Sequence, residues 1–154
     1  MTDLPNYDPS KYQVWLYKCP AVFPCFFATH PWFVVNKKGV VSRWEVVTSP
    51  NTGSTDYGYL SKDCLPPTTG IRIFPYTMNP RYGNHLIGMV SGDADSLAAQ
   101  MAAIINDSHK SYPHHDRYVL TGPNSNTYVQ WILDQFPESG LKLPWNAFGK
   151  NFVA

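Results

Sequence analysis

The stretch Gly122-Pro123-Asn124-Ser125-Asn126-Thr127-Tyr128-Val129-Gln130-Trp131-Ile132-Leu133 decides how the chain is read. A Gly-Pro turn leads into Asn124, a residue type that caps helix N-termini well. Beyond it Ser125, Val129, Ile132 and Phe136 recur at the i, i+4, i+7, i+11 spacing of one helix face. That face is apolar except at its opening position, where a hydroxyl sits. Helix N-termini carry unpaired N–H groups and partial positive charge, which favours an oxygen or sulfur nucleophile there. The helix is expected to stop before Pro137. A polar atom leading a buried stripe points into the fold, and upstream the best counterpart for it is His30.

Working outward, 154 residues suffice for one sizeable core, and one domain over 1–154 is the expectation. Apolar residues make up 44%, aromatics 15% and charged residues only 15%, which excludes a disordered chain and argues against a helical bundle. Fourteen prolines favour short strands and ordered loops. A formal charge of +1 supplies no long-range attraction to nucleic acid or to an anionic membrane, so neither is an expected partner. No window approaches eighteen uninterrupted apolar residues, so no membrane span is expected. The opening thirteen residues lack a basic region followed by an apolar one, so the expected location is cytoplasmic. Cys19, Cys25 and Cys64 show no CxxC spacing and read as reduced, partly buried thiols.

The first half reads as strands at 13–18, 22–28 and 32–36, with a further one at 40–48. Asn36-Lys37-Lys38-Gly39 turns the last two into an antiparallel hairpin. Residues 49–57 are an exposed loop by composition, Leu65-Pro66-Pro67 starts another, and 71–76 and 86–90 are short strands. In the second half Leu97, Ala98, Met101, Ile104 and Ile105 mark a helix over 93–107, with Asp93 and Asp95 suited to its N-terminus. A loop at 111–116, a short strand at 117–120, the Ser125 helix and a tail wrapped over the core from 140 complete the chain. The fold class is α+β, an antiparallel sheet or half-barrel packed against helices.

Serine needs a base, because its hydroxyl stays protonated at neutral pH. A helix terminus contributes roughly 0.3–1 kcal/mol, less than one pKa unit, and cannot ionise it alone. His30, held extended by Pro31, is the candidate base, although a core histidine bonded to backbone fits the same surroundings. Glu45 on the return strand is the candidate third member, and a surface pairing with Arg43 or Lys37 is its alternative. His109, His114, His115 and Asp116 match no zinc spacing, and no phosphate-cradling glycine motif occurs, so neither metal nor cofactor is expected. The five tryptophans could line a pocket, yet core packing is their commoner use.

His30 in Thr29-His30-Pro31-Trp32-Phe33-Val34-Val35, then Arg43-Trp44-Glu45-Val46, then Asn124-Ser125-Asn126-Thr127 opening a helix, resembles the circularly permuted papain-like proteins. These include NlpC-type cell-wall peptidases and lecithin retinol acyltransferase. In the permuted members a strand histidine comes first, a polar residue follows on the next strand, and an Asn-Cys pair opens a later helix. Gly122-Pro123-Asn124-Ser125-Asn126-Thr127, with a tail that runs Gly140-Leu141-Lys142-Leu143-Pro144-Trp145 and on to Phe152, is similar to an uncharacterised bacterial family of that superfamily. The likeness spans 30–152. It implies a circularly permuted papain-like fold, His30 as base, Glu45 as its orienting partner and Ser125 in the place of the nucleophilic cysteine. That substitution removes cysteine-type hydrolysis. Three readings follow: a non-catalytic protein with a cleft for a small-molecule, acyl or peptide ligand; a serine-dependent hydrolase or acyltransferase in which Glu45 or Asn124 orients His30; and a structural protein whose Ser125 only opens a helix.

Overall fold

The computed structural model describes residues 3–21, 27–49, 57–71 and 84–153. Within them the chain forms β1 (Tyr12–Pro20), β2 (Thr29–Lys37), β3 (Val40–Val46), β4 (Leu60–Lys62), β5 (His85–Gly92), α1 (Leu97–Ser111) and α2 (Ser125–Asp134), with a 3-10 turn at Pro137–Ser139. The strands make one antiparallel sheet in the order β4-β3-β2-β1-β5. The fold is therefore α+β.

Strand alternation sorts the side chains into two apolar layers. Val14, Leu16, Phe33, Val35, Trp44 and Val46 face the helices, where Met101, Ala102 and Ile105 of α1 meet Tyr128, Val129 and Ile132 of α2. Trp15, Tyr17, Cys19, Trp32 and Val34 fill the opposite face, covered in part by Leu4 of the N-terminal segment. This two-sided cover explains why β2 is buried along all but its last residue and reads as a nearly continuous apolar run. The helices are tied by a 2.8 Å hydrogen bond between the Ser108 and Tyr128 hydroxyls. α1 packs on β1 and β5, and α2 on β2 and β3.

The expected hairpin forms with Lys37 opposite Val40, and its two turn residues, Lys38 (φ 49°) and Gly39 (φ 93°), both take positive φ. That is the two-residue turn whose twist matches the strands. Other expectations change. α1 starts four residues later than expected because Ser96, not an aspartate, caps it, its side chain accepting from Ala99 N–H. Asp93 lies before the helix, where its carbonyl accepts from Ser96 and its carboxylate from Lys11. No strand forms at 117–120: Val119 N–H donates to Pro123 and its carbonyl accepts from Gly122, so these backbone groups are spent within one turn. β4 carries too few residues to have shown a period. Most of the proposed strands at 22–28 and 71–76, and of the loop at 49–57, fall outside the described residues. The tail buries Leu143 and Ala147 but leaves Trp145 82% exposed, so it wraps only in part.

The hairpin turn gives a direct test. A side chain at Gly39 would be held at positive φ, so Gly39→Ala should lower stability by about 1–2 kcal/mol. Urea denaturation should show a lower midpoint at unchanged slope.

Candidate functional site

Burial of charge organises the sheet face opposite the helices. On β3, Arg43 and Glu45 lie two residues apart and point the same way, and both are 0% exposed. Glu45 accepts from Arg43 Nε at 2.6 Å and Nη2 at 3.0 Å, a forked pairing. The remaining guanidinium nitrogen, Nη1, donates to the carbonyls of Pro66 and Thr69. Its plane lies 4.3 Å over the Trp32 ring. Opposite, His30 Nε2 approaches Glu45 Oε2 at 2.6 Å. Cys64 Sγ donates to Oε1 at 3.1 Å, so each carboxylate oxygen is held by two donors.

Burial alone pushes the Glu45 carboxyl up, but hydrogen bonding and charge from His30, together with the Arg43 guanidinium, bring it down to about 2. An ionised carboxylate only accepts, which assigns the shared hydrogen to His30 Nε2. In the neutral ring Nδ1 is then the bare nitrogen, the one able to take a proton. Glu45 is thus an interior residue that engages both His30 and Arg43, not a surface pair with one of them. Sequence reasoning did not foresee Arg43 as the anchor; charges at i, i+2 inside an apolar strand were the available signal.

α2 supplies the other half. Asn124 caps it: its side-chain oxygen accepts from Asn126 N–H at 3.0 Å and Thr127 N–H at 3.3 Å, while Thr127 Oγ1 accepts from Asn124 N–H at 3.0 Å. Its amide nitrogen donates to the carbonyls of Leu120 and Phe148. Asn124 is fully used as a cap and bonds no part of the His30–Glu45 pair. Asn126, which sequence reasoning passed over, is 3% exposed and donates to the Thr29 carbonyl at 3.0 Å and the Phe148 carbonyl at 2.9 Å. It ties the residue after Ser125 to the residue before His30.

Ser125 and His30 line one cavity of about 400 Å³, with Asn124, Asn126 and Thr29. Ser125 is 5% and His30 6% exposed, so both are buried side chains of its lining. Among the described residues no hydrogen bond joins the two side chains.

The histidines at 109, 114 and 115 do not converge. His109 stacks on Tyr57 and Trp44, whereas His114 packs edge-on against Tyr112 and Phe152. Among the described residues no group of three His, Cys, Asp or Glu side chains could hold a metal ion. Cys19 is buried, and its thiol is pushed up to about 11 by that burial; Cys25 lies outside the described residues. Trp15, Trp32 and Trp44 are core residues.

Two substitutions test this construction. Glu45→Gln removes one partner of a buried ion pair and should cost about 3–5 kcal/mol at pH 7, read from urea midpoints. Glu45 ionises more readily folded than unfolded, so its stabilisation is complete above the ordinary value of 4.5 and fades as pH falls toward about 2. The variant should lose that component of the acid-unfolding curve. Gly149 has φ +95°, and a Cβ there would lie 2.4 Å from Asn124 Nδ2. Gly149→Ala should therefore destabilise the α2 cap, with faster amide exchange at Asn126 and Thr127 than in wild type.

No curated protein and no solved structure matches the chain. One family model, described as a protein of unknown function (DUF3750), matches residues 11–152, from the start of β1 to the tail that holds the α2 cap. By the extent of that match the chain belongs to the DUF3750 family.

Proposed function

We propose that this protein is a serine-dependent acyl hydrolase or acyltransferase on a circularly permuted papain-like frame. Ser125 would be the nucleophile, His30 the base and Glu45 the group that orients and charges His30. The observation that carries the reading is the buried Glu45–His30 hydrogen bond beside a cavity that also takes in Ser125. The chain order of strand histidine, next-strand carboxylate and late helix opener supports the frame.

In the proposed reaction, Ser125 Oγ attacks the acyl carbonyl carbon while its proton passes to His30 Nδ1. The bond from that carbon to the leaving oxygen or nitrogen breaks, and the leaving group takes the proton from His30. Water or an acceptor hydroxyl then attacks the acyl-serine, His30 receives its proton, and Ser125 Oγ leaves with a proton returned from His30. The N–H groups of Asn126 and Thr127 are engaged by the Asn124 cap, so Ser125's own N–H is the first-turn donor left for the oxyanion.

A second reading has one observation in its favour. Ser125 and His30 are not hydrogen-bonded, as in a site that keeps its cleft and only binds a ligand. A fluorophosphonate probe separates the two. Labelling of wild type that disappears in Ser125→Ala and falls at least 100-fold in His30→Ala is the expected result for the hydrolase. No labelling at saturating probe favours the binder.

The frame has its own test. Ser125→Cys puts a thiol at a helix N-terminus beside an imidazole, and its alkylation by iodoacetamide should inflect well below the free-thiol value of roughly 8.5. An inflection at the free-thiol value would remove His30 from the site.

A further inference from the structure

Exposed apolar side chains gather at the Ser125 cavity. Phe27, Leu120 and Phe148 line it and are 61%, 64% and 45% exposed. Trp145, 82% exposed, packs edge-on against Phe148 at 6.4 Å, and Phe27 meets Phe148 at 6.1 Å. Three of the seven large apolar side chains exposed among the described residues thus line this cavity, and a fourth, Trp145, lies beside it against Phe148. Ile71 and Ala28 also line the cavity; of its polar lining residues, Thr29, His30, Asn124, Ser125 and Asn126 are buried, whereas Thr48 and Thr121 are exposed. None of the described lining residues is Lys, Arg, Asp or Glu.

We infer that the site takes a neutral, apolar acyl chain, with the carbonyl at the Ser125 floor and the hydrocarbon running out between Leu120, Phe27 and Phe148. This assignment of substrate class rests on the acyl-transfer reading of the same site. A carboxylate or ammonium lying along that wall would lose its hydration and meet no charged partner on the described lining, which disfavours charged peptides. Hydrocarbon gains from the same wall. Each buried methylene contributes about fourfold in affinity until the chain passes the rim. A cavity of about 400 Å³ lies within the usual range for small ligands.

The experiment measures binding without turnover. Ser125→Ala is titrated with n-alkyl primary amides from butanamide to octanamide, followed by ligand-observed NMR. Affinity should rise about fourfold per added methylene, and adipamic acid, whose carboxylate at the far end would lie on the apolar wall, should bind at least tenfold more weakly than hexanamide. Adding Leu120→Asp, at a side chain already mostly in solvent, should flatten the dependence on chain length. Adding Val153→Asp, 88% exposed and off the cavity, should leave it intact. A series flat in chain length, adipamic acid binding as tightly as hexanamide, or equal loss in both aspartate variants would overturn the inference. Failure of the catalytic reading shows separately, as absent fluorophosphonate labelling while the amide series holds.

Discussion

Arg43 is the constraint on which the site depends. A guanidinium with no exposure cannot lose its charge, so the fold must bring acceptors to it. It finds them in Glu45 on its own strand and in the carbonyls of Pro66 and Thr69 on the segment after β4. The backbone of Arg43 is held as well, since its N–H donates to Asp63 Oδ1 at 2.6 Å and its carbonyl accepts from Asp63 N–H at 2.9 Å. Glu45 is thereby fixed in place, and His30 and Arg43 together hold its carboxyl low, His30 more strongly. The imidazole then has one orientation that satisfies Nε2. The position of His30 thus traces back to a buried cation two hydrogen bonds away.

A second set of contacts holds the helix end in place. The carbonyl of Phe148 accepts from both Asn124 and Asn126, and the carbonyl of Gly149 accepts from Thr127. The helix-opening motif and the tail motif, separated by more than a dozen residues in sequence, are therefore two halves of one structure. Asn126 extends it to the sheet through Thr29. Its side-chain oxygen has no partner although it is buried. Leaving an acceptor unpaired costs about 1–3 kcal/mol, a cost that Asn126 bears while bridging helix, tail and strand.

These particulars explain what could be read from the sequence. The hairpin was legible because Lys38-Gly39 sits between two β-branched runs. α2 was legible because a Gly-Pro turn and Asn124 precede a 3.6-residue period. Local chemistry sets both, so a local window suffices. His30 and Ser125 line one cavity, which no local pattern required. The residues that escaped notice act through distant partners. Arg43 looked like a surface charge because its carbonyl acceptors lie more than twenty residues on, and Asn126 looked like filler because Thr29 is 97 residues away. Asn124 shows the converse: its local capping role was clear, and that role consumes the groups with which it could have oriented His30. The 117–120 segment misled because the run Tyr118-Val119-Leu120 resembles a strand whether or not a neighbour exists to pair with it.

Under the proposed chemistry the nucleophile and the third residue make sense only together. A thiol near a helix terminus is partly ionised at neutral pH, and its histidine needs orientation more than charge. A serine hydroxyl stays protonated until the moment of attack, so the imidazole must accept a full proton and the resulting cation must be stabilised where it forms. An ionised carboxylate on Nε2 meets that demand, and the imidazolium, once formed, in turn helps to hold the Glu45 carboxyl low. Arg43 draws part of that negative charge, which weakens the pull on His30, yet it also works with His30 against the burial that would drive Glu45 toward its neutral form. The arrangement is a compromise in which the guanidinium keeps the carboxylate charged at some expense of its strength as a partner. Such a compromise has a use where a serine must be activated, and little in a cleft that only binds.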